Sequence, residues 1–133
     1  MSTTAALRTM DQQRAEFALN AVDAFARQDK TRQAELRRYL NQLPALIQMN
    51  GLGQALAFFR SKGLQGSHGD IYSLIGKWLC ETGPGQVFEG GERDVLRAIT
   101  SSDMFRYMAA QNEALALLEW LKKFAVAMLE KED

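Results

Sequence analysis

The chain carries one cysteine, one histidine and two prolines in 133 residues, and its sixteen Lys/Arg are matched by sixteen Asp/Glu. Each scarcity excludes something. Cys80 alone makes no internal disulfide, and its place at the end of the apolar run from Ile71 reads as a buried, inert thiol. One histidine and one cysteine fall short of the four ligands of a structural zinc site, so no metal is expected. His68 lies in a glycine-flanked loop far along the chain from Cys80, which argues against a nucleophile–base pair. No Walker A, G-x-G-x-x-G or H-E-x-x-H pattern occurs. Gly51-Leu52-Gly53 lacks a third glycine and follows a helix instead of a strand. The carboxylates that remain, Glu89 with Glu92 and the acidic end Glu130, Glu132 and Asp133, read as solvated loop and terminus charges. No run approaches the ~18 apolar residues of a membrane span, and the opening MSTTAALRTMDQQRAEF lacks a signal-peptide core. These absences lead us to expect a soluble cytoplasmic protein with no catalytic centre, no cofactor, no small-molecule substrate and no membrane contact.

What the sequence has instead is helical spacing. Apolar residues recur at intervals of three and four, strand-like alternation is never sustained, and 47% of the residues are hydrophobic. The spacing predicts an all-α, single-domain bundle of about six helices over 1–133. The first helix covers about 4–28, with Leu7, Met10, Phe17, Val22 and Phe25 among its apolar positions, and Asp29-Lys30-Thr31 breaks it. The second reaches about Met49. Its set Leu36, Leu40, Leu43, Ile47 makes one face, and Pro44 inside it predicts a kink or a short restart. Asn50-Gly51 reads as a helix stop. A third helix follows over about 52–62, then a flexible loop near 63–69, where Ser67 and Asp70 resemble a capping box opening a fourth helix over about 69–81. A second flexible loop lies near 82–91 and a short fifth helix over about 92–100. Ser102 or Asp103 caps the last helix, which runs to about Lys131. Tyr107, Ala114, Leu118, Leu121, Ala125 and Met128 form its stripe, Gln111 interrupts it, and Trp120 and Phe124 widen it. A helix this apolar is central to the core or half-covered by a partner.

The charge is balanced in total but not in distribution. Residues 27–62 hold seven bases (Arg27, Lys30, Arg32, Arg37, Arg38, Arg60, Lys62) against Asp29 and Glu35, a net +5 offset by −5 elsewhere. At 100° per residue from Leu36, Lys30, Arg37, Asn41 and Gln48 fall near 100–140° and Arg38 near 200°, clear of the apolar stripe. Such a face suits phosphate-backbone contacts or ion pairs with a protein neighbour. With no aromatic interleaved there for base stacking, nucleic-acid binding would be backbone-directed and indifferent to sequence. Arg106 and Glu113, seven residues apart in the widened arc of the last helix, predict either an Arg–Glu bridge over the core rim or a subunit interface.

Two blocks carry a resemblance. Residues 43–58, LPALIQMNGLGQALAF, resemble the LPxLIQxNGLGQxLAF-like core of the small all-helical subunit of type III-B CRISPR effector complexes, the Cmr or RAMP-module family. Residues 113–125, EALALLEWLKKFA, resemble that family's EALxxLxWLKRFA ending. The resemblance implies a non-catalytic subunit of an antiviral ribonucleoprotein. It would stack head-to-tail with copies of itself along the backbone subunits that hold the CRISPR RNA, contact target RNA through basic residues, and leave cleavage to other subunits. On that reading the RNA-facing residues are Arg37, Arg38, Arg60 and Lys62, with Lys122 and Lys123 second. The signature residues are mainly structural. Pro44, Gly51 and Gly53 provide kink, cap and close packing, and Gln48, Asn50 and Gln54 fasten the turn by hydrogen bonds. Two other readings remain open from the residues themselves. One is a protein–protein adaptor whose basic face docks on an acidic subunit. The other is a DNA-binding helix-turn-helix reading through 52–62, which is disfavoured because that helix spends Phe58 and Phe59 on packing and carries bases only at its end.

Overall fold

The structure is a computed structural model that describes residues 7–132. Within them the regular structure is six α-helices: α1 (Met10–Phe25), α2 (Lys30–Asn50), α3 (Leu52–Ser61), α4 (Ser67–Cys80), α5 (Val95–Ser101) and α6 (Met104–Met128). The expected all-α fold is the observed one. The predicted start of the first helix near Thr4 lies outside the described residues. Thr9 caps α1 in a reciprocal box, its Oγ1 accepting from the Gln12 backbone N–H at 3.0 Å while Gln12 Oε1 accepts from the Thr9 N–H at 2.8 Å. Leu7, counted among the apolar positions, is fully exposed. Asp29 caps α2, Asp94 caps α5 and Asp103, not Ser102, caps α6.

The long helix α6 is the central element, packed against α1 and α2 and touching α3 and α4. It runs antiparallel to α2: the Glu130 N–H donates to Gln33 Oε1 at one end of the pair, and the Leu52 N–H donates to Gln111 Oε1 at the other. The predicted faces meet in the core. Leu36, Leu40, Leu43 and Ile47 of α2, and Ala114, Leu118, Leu121 and Ala125 of α6, are wholly buried. Each buried Leu or Ile removes enough apolar surface from water to stabilise the fold by roughly 1.5–3 kcal/mol.

Three local expectations are corrected. α2 runs unbroken through Pro44, so no restart occurs. The proline deprives the Leu40 carbonyl of its helical donor, but Leu43 and Ile47 on the following turns are fully buried and keep the helix on course. The Ser67–Asp70 capping box does not form. α4 begins at Ser67 itself, so 67–69 is helix and not loop. The Ser67 hydroxyl donates to Glu35 Oε1 at 2.8 Å, while Asp70 accepts from Arg32 Nη2 at 2.8 Å; both side chains tie α4 to α2. Between α4 and α5, the backbone N–H groups of Val87 and Phe88 both donate to the Leu79 carbonyl, and the Phe88 ring enters the core.

Candidate nucleic-acid interface

The Asn50-Gly51 turn joins α2 to α3 with Gly51 at φ +87°, a conformation that favours glycine. The neighbours that fasten it come from α6. The Gly53 N–H donates to the Tyr107 hydroxyl at 3.1 Å and the Leu52 N–H to Gln111 Oε1 at 2.9 Å, which explains the one polar residue in the α6 stripe. A Cβ on Gly51 would meet the Tyr107 hydroxyl at 3.0 Å. Gln48, Asn50 and Gln54 do not fasten the turn; they are exposed and make no side-chain hydrogen bond among the described residues. The glycines of the signature block therefore shape the fold, while its amides face solvent.

The six basic residues singled out in the sequence do not form one patch. Arg37 and Arg38 sit on the outer side of α2 and line a groove against the end of α6, together with Asn41, Val126, Lys131 and Glu132. Lys122, half-buried, stands one turn before Val126 on the same face of α6. Lys123 pairs with Glu119 at 3.2 Å and faces α1, within electrostatic reach of Asp11. Arg60 also points elsewhere, toward the Tyr72–Asp94 hydrogen bond (2.7 Å), where its charge opposes the rise that burial and Asp94 impose on the Tyr72 phenol. Within the basic stretch, Arg32 is structural: it bonds Asp70 and the Gln65 carbonyl. Arg38 pairs with Glu132, so the acidic terminus is partly engaged rather than wholly solvated.

Lys62 belongs with a group of rings that the sequence reading places nowhere near the basic residues. Tyr39 follows Arg38 on α2 and stacks on His68 of α4, with centroids 3.8 Å apart and planes 22° apart. Phe58 and Phe59 of α3 approach the same imidazole edge-on at 6.1 and 4.8 Å. Arg38 lies 4.9 Å over the Tyr39 ring and Lys62 Nζ 4.9 Å over the Phe58 ring. The absence of interleaved aromatics is thus overturned. The signal was in the sequence, in the adjacency of Arg38 and Tyr39 and the one-turn spacing of Phe58 and Lys62. Desolvation first, then the nearby charges of Lys62 and Arg38, hold His68 below the usual imidazole range, against the opposing influence of Glu35.

The remaining chemistry-bearing groups are dispersed. His68 and Cys80 stand in the first and last turns of α4, roughly 18 Å apart along its axis. Burial, with Asp94, Glu92 and Glu81 as lesser causes, pushes the Cys80 thiol up to about 11. Among the described residues, no group of three or more His, Cys, Asp or Glu gathers as a metal site would need, and no helix is long and apolar enough to cross a membrane. Arg106 and Glu113 do not bridge each other. Arg106 donates to the Val87 carbonyl at 2.9 Å and pairs with Glu89 at 3.6 Å, whereas Glu113 is taken by Arg14 and Trp78.

Comparison with known proteins agrees with this architecture. A curated relative from Thermus thermophilus, named CRISPR system Cmr subunit Cmr5, is 29% identical over 125 residues, which are 94% of this chain and all of the relative. The crystal structure of a CRISPR-associated Cmr5 family protein from Thermus thermophilus superposes with a TM-score of 0.75 at 29% identity, covering 92% of this chain and all of that one. The sequence model of the family described as CRISPR-associated protein (Cas_Cmr5) matches residues 10–128, from the first residue of α1 to the last of α6. With the whole helical fold inside that match, the resemblance read from 43–58 and 113–125 is established, and the chain belongs to the CRISPR-associated Cmr5 family.

Proposed function

We propose that this protein is a non-catalytic subunit of a type III-B CRISPR Cmr effector complex, working in the cytoplasm in antiviral defence. It stacks with copies of itself and with other subunits, and contacts the backbone of the CRISPR RNA or target RNA. Membership of the Cmr5 family is the observation that carries the reading. The open groove beside Arg37 and Arg38 supports RNA contact, because Arg37 and Asn41 on α2, with Lys131 beyond the end of α6, offer donors to a phosphate, and Arg38 joins them by exchanging Glu132 for it. Arg37 and Arg38 are the principal contacts, Lys122 and Lys62 extend them on either side of α2, and Arg60 and Lys123 contribute only long-range charge.

The double variant Arg37→Ala/Arg38→Ala should bind single-stranded RNA about tenfold more weakly at low salt, with a flatter salt dependence and unchanged helicity. Gel shifts that showed equal affinity would leave the protein–protein adaptor as the better reading. Self-stacking is supported by the exposed apolar residues Met104, Phe105 and Met108, the last two 76% and 54% exposed on the first turns of α6. Phe105→Asp/Met108→Asp should abolish concentration-dependent self-association in sedimentation velocity; association that survived the substitution would place the interface elsewhere.

A further inference from the structure

Phe58 differs from the core aromatic next to it. Phe59 is 1% exposed, while Phe58 stays 48% exposed on the outer side of α3, one turn before Lys62. Its neighbours are other rings: it meets Phe59 at 6.2 Å and His68 at 6.1 Å, and His68 in turn stacks on Tyr39. Three helices therefore contribute to one aromatic surface, with a cation at each end, Lys62 over Phe58 and Arg38 over Tyr39. The nearby carboxylates are both engaged: Glu35 accepts from the Ser67 hydroxyl, and Glu132 pairs with Arg38, where a phosphate would take its place.

Resting on the RNA-binding reading above, we propose that this surface takes an unstacked nucleobase of a single-stranded RNA, with Phe58 as the stacking residue and Lys62 and Arg38 on the flanking phosphates. The alternative occupant, an apolar side chain of another protein, would have to strip water from Lys62, which pairs with no carboxylate among the described residues, without returning a counter-charge. A nucleotide brings the ring and the anion together. Lysine on its flexible stem leaves the Phe58 face for a phosphate at small cost, since an exposed cation–π contact is worth only roughly 0.5–1 kcal/mol. Burial holds the His68 imidazole below its usual range, which favours the uncharged form, so it adds a flat polar ring rather than a third like charge. The proposal makes the contact with RNA one of bases as well as of backbone, tolerant of sequence because every base has a π face.

The test compares two probes on the full chain by fluorescence anisotropy at low salt: a short oligouridylate, and an abasic ribose-phosphate oligomer of the same length. Phe58→Ala and Phe58→Leu, the second retaining apolar packing against Phe59, should each weaken oligouridylate binding about tenfold. Both should leave abasic binding and the salt slope unchanged. Phe58→Tyr should bind both probes as the parent does. Equal affinity of the Leu variant for oligouridylate, or an equal loss on both probes, would overturn the stacking role while leaving the backbone reading intact. A parent protein that bound neither probe would overturn the RNA reading itself. Arg37→Ala/Arg38→Ala serves as the contrast and should lose affinity for both probes together.

Discussion

Glu113→Ala is expected to destabilise the fold by about 3 kcal/mol, lowering Tm by about 10 °C. The carboxylate is the meeting point of α1, α4 and α6. Arg14 donates to it in bidentate fashion, Nε to Oε2 at 2.7 Å and Nη2 to Oε1 at 2.9 Å, and the Trp78 indole N–H donates at 2.9 Å. The side chains of Arg14 and Glu113 are only 20% and 12% exposed, so water replaces little of what the substitution removes. Truncation leaves a guanidinium and an indole N–H short of an acceptor in a tight junction, and that desolvation penalty, rather than the lost attraction, sets the size of the effect. Glu113→Gln keeps an acceptor and should cost less. Urea denaturation decides the matter: a loss below about 1 kcal/mol, the range of an exposed ion pair, would mean that the junction does not behave as a buried network. Because Glu113 faces inward, RNA affinity of the folded variant should be unchanged.

Gly69→Ala is expected to cost about 3 kcal/mol, although helix propensity alone favours alanine by about 1 kcal/mol. A Cβ at this position would lie 2.5 Å from the Gly63 carbonyl oxygen and from the carbonyl carbon and Cα of Leu64. These are backbone atoms, so the clash cannot be relieved by a rotamer change; the turn between α3 and α4 must move. Its neighbours His68 and Asp70, which stack on Tyr39 and bond Arg32, would be dragged with it. Gly83→Ala is the control, since nothing lies within 4 Å of its Cβ position, its φ is not in the left-handed region and it caps no helix. That variant should stay within about 0.5 kcal/mol of the parent by urea denaturation. A Gly69→Ala protein as stable as the control would show that the close approach of α4 to the turn relaxes freely.

Legibility followed the physics of each feature. The stripe Leu36–Leu40–Leu43–Ile47 could be read directly because a helix face is a consequence of spacing, and burying it is the main source of stability. The cap of α6 is likewise local and is one of the two candidates legible in the sequence, Asp103 reaching its own helix three residues on; Asp29, legible only as a break, and Asp94 cap α2 and α5 in the same way. Gln48, Asn50 and Gln54 resisted reading because a turn can be fastened from within or from another helix, and Tyr107 and Gln111 do it from α6, more than fifty residues away. The same applies to Ser67 and Asp70, whose spacing is that of a box but whose partners are Glu35 and Arg32.

The sequence by itself determined the helical fold, its core faces, the scarcity of catalytic and metal-binding residue types and the family, because these rest on periodicity, residue counts and short blocks of adjacent residues. Only the tertiary structure decided which charges act together. It set Lys62 and Arg38 beside the Tyr39–His68–Phe58 rings, turned Arg60 and Lys123 away, and gave Glu113 to Arg14 and Trp78. The reason is one of range: hydrophobic spacing acts within a helix, whereas a surface is assembled from side chains of several helices whose rotation about their axes is settled only when the core packs.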